Sequence, residues 1–193
     1  MYIIIEGIDT AGKSTQIDIL KQNYPDTIFT KEPGGTNLGI DIRNMVLNGY
    51  TKSNLAEMFL FLADRAEHID KIIKQNSDKT VVSDRGFLSG IAYAKIDIKS
   101  AISLNLLALD NALPSKIIIL TLSKEILEQR LSNKKHDLIE SRGIEYLLDI
   151  QNRMLKAIEL INQQNNKKID TLIIDASQNI KIIANQIDNF IKN

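Results

Sequence analysis

Short apolar runs alternate along this chain with longer segments whose apolar residues recur every three to four positions. Five runs read as strands: Tyr2 to Glu6, Thr27 to Thr30, Thr80 to Ser83, Ile117 to Leu122 and Thr171 to Ile174. Several are apolar on both faces, the pattern of strands buried in a parallel sheet. The segments between them have helical spacing. Leu55, Met58, Leu62, Ile69 and Ile73 trace one buried stripe, on a helix beginning near Asn54. Ile180, Ile183, Ile187 and Ile191 trace another, with Ser177 as its N-cap. Strand and helix in alternation predict an α/β sandwich with ligands at the carboxyl ends of the strands.

Composition narrows this picture. A chain of 193 residues favours one domain with enough core to need no disulfide or metal staple. There is no Cys, which excludes a thiol nucleophile and a Cys-ligated zinc site. Lys plus Arg total 24 and Asp plus Glu total 24, which argues against a surface built to coat nucleic acid or membrane. The longest apolar runs, Ile3 to Ile5 and Ile117 to Leu120, fall far short of the roughly 20 residues of a spanning helix. Glu6 interrupts the first, so no signal peptide is expected. The polar stretch Ser132 to Asp137 reads as a solvated loop, or as a basic loop that closes over a polyanion.

The strongest chemical signal is Gly7-Ile8-Asp9-Thr10-Ala11-Gly12-Lys13-Ser14, a full match to G-x-x-x-x-G-K-[ST]. It follows an apolar strand, and Thr15 to Gln22 open a helix. Gly7 and Gly12 let the backbone wrap so that N–H groups form an anion nest, and the helix N-terminus adds positive potential. Lys13 would reach the β and γ phosphates, and Ser14 would offer its hydroxyl to Mg²⁺. The loop implies a nucleoside triphosphate and leaves the acceptor open. No N-K-x-D segment reads a guanine base, and the chain is short for a motor.

Asp84-Arg85 closes the third strand, at the ligand edge. Arg85 suits an acceptor phosphate and Asp84 suits Mg²⁺ or water, but a structural ion pair fits equally well. Glu32-Pro33-Gly34-Gly35-Thr36 forms a tight turn, and Arg43 lies in the helix that follows, as a phosphate ligand or a plain surface arginine. Phe61 and Arg65 sit four apart on a face distinct from the Leu55 stripe. They could stack on and bond a flat heterocycle; alternatively Phe61 is core and Arg65 pairs with Glu57 or Glu67. Tyr93 could pack against a sugar or simply fill core. His68 and His136 read as satisfied or surface histidines.

In this order, Glu6-Gly7-Ile8-Asp9 to Ser14, Glu32 to Thr36, Phe61 to His68, Asp84-Arg85 to Ser89, Ala92-Tyr93, Arg130 to Glu140 and Asp175 to Ser177 resemble the thymidylate kinase family over essentially the whole chain. The resemblance implies a three-layer P-loop kinase fold, a five-stranded parallel sheet with helices on both faces. It implies one domain over residues 1–193 with a lid at about 132–142. It also implies transfer of the ATP γ-phosphoryl group to dTMP with Mg²⁺, in the cytoplasm, by a homodimer that uses the exposed face of Asn54 to Gln75 or of Ala101 to Asp110. Catalytic roles fall on Lys13, Asp9, Arg85 and Asp84, and metal contacts on Ser14 and Asp84. ATP would lie along Gly7 to Thr15 and Arg130. The acceptor would meet Asp9, Arg43, Phe61, Arg65, Arg85, Gly90 and Tyr93. Family members place an arginine in the P-loop or the lid, but here Thr10 and Leu138 stand at those places. Arg130, Lys134, Lys135 or Arg142 must then serve. A kinase for another nucleotide or nucleoside, and a nucleotide-binding regulatory module, remain as alternatives.

Overall fold

The computed structural model describes residues 1–132, 143–164 and 168–193. The expected lid residues Lys134, Lys135 and Arg142, together with His136, lie outside them.

Five parallel strands form one sheet: β1 (Tyr2–Gly7), β2 (Ile28–Lys31), β3 (Val81–Asp84), β4 (Lys116–Thr121) and β5 (Asp170–Asp175), in the order β2-β3-β1-β4-β5. All five expected runs are strands, with each end within one residue of the expected position. The three inner strands carry the continuous apolar runs, and Ile3 to Ile5 and Ile117 to Leu120 are wholly buried. Each such side chain contributes about 1.5–3 kcal/mol relative to exposure. The edge strand β5 alternates, and its Ile173 faces outward.

The helices are α1 (Lys13–Asn23), α2 (Asn37–Leu47), α3 (Asn54–His68), α4 (Phe87–Tyr93), α5 (Ile98–Ala108), α6 (Lys124–Ser132), α7 (Ile144–Gln164) and α8 (Ile180–Lys192). Right-handed crossovers decide their faces. The chain leaves β1 toward β2 and leaves β3 in the opposite direction, toward β4. Helix α1 therefore covers one face, with α8 packed beside it, while α4, α5 and α7 gather on the other. The direction of chain travel reverses between neighbouring β1 and β3, where Ile5 pairs with Asp84. A crevice for ligand forms outside their carboxyl ends.

Three local expectations change. The N-cap of α8 is Asn179, whose side chain accepts from the Lys181 N–H; Ser177 instead donates its own N–H to Asp175. Within the α8 stripe, Ile183 and Ile187 are buried while Ile180 is exposed. Helix α3 passes into a π turn over Ile69–Ile73, where Ile69 and Ile73 are buried; in the ten residues between Met58 and Ile69 the buried side chains are the polar Asp64, Arg65 and His68, and Leu55 is exposed.

Candidate active site

Backbone geometry builds the phosphate loop. Gly7 has φ 149°, and a Cβ there would sit 2.7 Å from the Leu120 carbonyl oxygen, so any side chain would push β1 from β4. Gly12 caps α1 in the left-handed region, at φ 92°. Thr10 shares that region, with φ 66°, and its hydroxyl is covered without a partner. Ile8 and Ala11 are buried and anchor the loop, while Ser14 and Thr15 are exposed on the first turn of α1. That turn leaves N–H groups without intrahelical partners, the positive end of the helix.

Lys13 is 7% exposed, and its Nζ donates to the Gly7 and Ile8 carbonyls at 2.9 and 3.0 Å. Burial, assisted by the positive charge of Arg85, pulls its pKa down to about 8. A cation with a depressed pKa loses its proton as pH rises through that value. We therefore expect kcat/KM for ATP to fall above about pH 8, ahead of kcat, because bound phosphates hold the proton on Lys13. A kcat/KM profile that stays flat to about pH 9.5 would refute this.

Arg85 follows β3 with φ 69°, and its N–H donates to the Ile5 carbonyl. This backbone course turns its guanidinium toward the P-loop. There it donates to Gly7 O (3.1 Å), to Ser89 Oγ (3.3 Å) and to Asp9. The ion pair left open from sequence is thus made with Asp9, not with Asp84. Asp84 keeps one carboxylate oxygen covered and without a partner. The Arg85 guanidinium also lies 5.9 Å from the Tyr93 ring centre. Tyr93 meets Tyr146 of α7 edge-on at 6.4 Å, and burial pushes its hydroxyl up to about 12.

Arg130 extends from α6 to the Thr10 carbonyl (2.8 Å) and the Ala176 carbonyl (2.6 Å), tying the P-loop to the turn after β5. Arg43 of α2 is half-buried and donates to Pro33 O at 3.3 Å, so it sits against the Pro33-Gly34 turn. Phe61 is half-buried, one turn before Arg65. Arg65 does not occupy a separate face. At 3.6 residues per turn it lies within about 20° of Met58 and so points inward with that stripe. It is 3% exposed, its ion pair is with Glu32 at 2.7 Å instead of Glu57 or Glu67, and it also donates to Asn105 and to Gly86 O. His68 is a satisfied core histidine between Glu32 and Thr30.

Sequence reasoning gave no role to several groups that hold this arrangement. Glu6, buried at the end of β1, accepts from the Gly86 and Ser89 N–H groups at 3.0 Å each and from the Ser89 hydroxyl, so it caps α4 from another element. Burial raises its pKa, which those bonds oppose. A carboxylate at the end of an otherwise apolar strand was the available signal. Arg153 of α7 donates to the Ala92, Ala94 and Ile96 carbonyls and closes the other end of α4. Nothing in the spacing of α7 distinguishes it.

A parallel sheet with a glycine-walled loop leading from its central strand into a helix, and with a lysine and an arginine converging beside that loop, defines a P-loop phosphotransferase. The thymidylate kinase family model matches residues 5–187. Thymidylate kinases from Aliarcobacter butzleri and Sulfurimonas denitrificans are 55% and 51% identical, over 99% and 98% of this chain and 98% of each relative. The crystal structure of thymidylate kinase from Ehrlichia chaffeensis superposes with a TM-score of 0.75 at 25% identity, over 99% of this chain and 98% of that one. The chain belongs to the thymidylate kinase family.

Proposed function

We propose that this enzyme transfers the γ-phosphoryl group of ATP to the phosphate of dTMP, giving dTDP and ADP for dTTP synthesis. The observation that carries the reading is the convergence of Lys13, from the P-loop, and Arg85, from the end of β3, on the crevice between β1 and β3. The acceptor phosphate is already ionised, so the chain's task is alignment and charge neutralisation rather than base catalysis. Lys13 would serve the ATP phosphates and Arg85 with Arg43 the acceptor phosphate. Asp9, ion-paired with Arg85, would meet the sugar or help position the phosphates. Phe61 would stack on the base and Arg65 bond its edge. Tyr93, wedged between Arg85 and Tyr146, would press on the deoxyribose.

Gly90 joins this set as a spacer. A Cβ there would sit 2.6 Å from Arg65 Nη1, so the guanidinium occupies the space a side chain would need. Thr10 leaves the P-loop without an arginine of its own, and Arg130, bonded to the Thr10 carbonyl, reaches the loop from α6 as Arg85 reaches it from the end of β3. It would share the role with basic residues of a lid at about 132–142 on a single kinase domain.

The donors fit Mg²⁺ held mainly through nucleotide. The described residues contain no cluster of three metal-binding side chains. The exposed hydroxyl of Ser14 and the unpartnered oxygen of Asp84 are hard ligands of the kind that supplement phosphates and waters. When bound, the ion would neutralise charge on the transferring phosphoryl group.

Leu55 and Phe59, one turn apart on α3, and Leu107 on the adjoining α5 are exposed, and they would supply apolar surface to a homodimer. Sedimentation should then give twice the chain mass of 21.7 kDa. No described helix is long and apolar enough to cross a membrane. Work on ATP and dTMP suits the cytoplasm.

A coupled ADP-release assay with dTMP, dUMP, dCMP and thymidine tests the reading. dTMP should give the highest kcat/KM and thymidine none. Preference for another acceptor, or no acceptor-dependent ADP release, would overturn it.

A further inference from the structure

Behind the acceptor crevice runs a line of buried polar groups that phosphoryl transfer itself does not use. Thr30 Oγ1 lies 2.8 Å from His68 Nε2, and His68 Nδ1 lies 2.8 Å from Glu32 Oε1. The other Glu32 oxygen stands 2.7 Å from Arg65 Nη2. Arg65 Nη1 donates in turn to the Asn105 side chain, whose own amide donates to Ala101 O at 2.7 Å. His68 and Asn105 are fully buried, and Arg65 and Glu32 are 3% and 4% exposed. Glycines leave room for the line. A Cβ on Gly35 would come within 2.7 Å of His68 Cδ2, and one on Gly90 within 2.5 Å of Asn105 Oδ1.

These contacts leave Arg65 little freedom. Nη2 is committed to Gly86 O and Nη1 to Asn105. The approach of Glu32 Oε2 is a charge contact without an aligned N–H, since that oxygen accepts no hydrogen bond, and Arg65 Nε is covered and unpartnered. The guanidinium is therefore held by two hydrogen bonds, to Asn105 and Gly86 O, and drawn to one side by the Glu32 charge. With 3% of its surface exposed, Arg65 can meet a ligand only along an edge, and a small rotation would withdraw that edge. Burial alone would raise the Glu32 carboxyl, but the Arg65 charge and His68 outweigh it and hold the group below the usual carboxylate range. The line thus contains an ionised carboxylate whose removal strands a buried guanidinium.

We propose that Glu32, braced by His68, is a positioning residue that aims the Arg65 edge at the pyrimidine base and so sets selection of an oxo group over an amino group on the acceptor. A fixed guanidinium N–H bonds a carbonyl oxygen and opposes the amine of cytosine, which is itself a donor. The proposal rests on the assignment of Arg65 to the base.

The test is steady-state kinetics on Glu32→Gln with dTMP and dCMP. Gln keeps the shape but places an NH₂ against a donor on one side. The KM for dTMP should rise about tenfold or more, with kcat within about threefold and the KM for ATP unchanged. The dTMP-to-dCMP ratio of kcat/KM should fall by a similar factor, and Glu32→Asp should lie between. In an Arg65→Lys background, Glu32→Gln should add nothing to the KM for dTMP. Unchanged KM and selectivity with only a lower melting temperature, or additive effects in the double variant, would overturn the proposal. If Glu32→Gln does not fold, His68→Gln carries the test, with the same direction and smaller size. Failure of the underlying reading looks different: Arg65→Lys itself would then leave the KM for dTMP unchanged.

Discussion

Lys13→Ala should lower kcat for dTMP phosphorylation by on the order of a thousandfold while the protein stays folded. The ammonium sits where the glycine-walled loop enters α1, held to two loop carbonyls. Its charge offsets Asp9, Asp84 and Glu6, which surround it. In the proposed reaction this fixed cation would neutralise the charge that develops on the transferring phosphoryl group without reorganisation. Alanine removes that charge from a place no other described lysine occupies. The folded state loses little, because a cation whose pKa burial has lowered from 10.5 to about 8 is held there at a cost. Relief of that cost offsets the two lost hydrogen bonds, so the melting temperature should hold within a few degrees. Single-turnover transfer with saturating ATP separates chemistry from binding. Turnover within tenfold of the parent would remove Lys13 from the mechanism.

The sequence made the strands and the P-loop legible for the same reason. Both are local patterns: apolar runs at Ile3 to Ile5 and Ile117 to Leu120, and a fixed spacing from Gly7 to Ser14. Arg65 was legible as a candidate, but its partner was not. Glu32 is 33 positions away, just past the end of β2, where its N–H donates to the Asp84 carbonyl, and no spacing links it to α3. Assigning Phe61 and Arg65 a face of their own overlooked that a charged residue can occupy a buried stripe when a partner comes from another element. Glu6 and Arg153 fell outside the reading on the same ground. Each caps α4 from an element distant in sequence, and caps of that kind leave no spacing to find. Ser177 and Asn179 differ by two residues, and both are good caps. Ser177 lost because Asp175 takes its N–H in the turn.

Arg85→Ala should reduce kcat/KM for dTMP by about a hundredfold to a thousandfold and change the KM for ATP little. The guanidinium is the cation that joins the two halves of the crevice, since it reaches Gly7 and Asp9 from the end of β3 and Ser89 on α4. Arginine and alanine carry the same Cβ, so the left-handed φ of 69° strains both alike and the substitution adds no backbone penalty. What is lost is a bidentate anion fork, and Asp9 is left without its ion-pair partner as a bare negative charge in the acceptor crevice proposed above. Arg85→Lys should recover part of the loss, a point charge without the fork. A second readout ties the effect to this place. Arg85 is one of the causes that lower the Lys13 pKa, so its removal should move the ATP-side break of the pH profile upward from about 8. The Asp9 and Asp84 charges that remain act in the same direction on Lys13. A variant that lost dTMP efficiency without moving that break would place Arg85 at the acceptor but not beside Lys13. One that kept dTMP efficiency within tenfold would take it out of the acceptor site altogether.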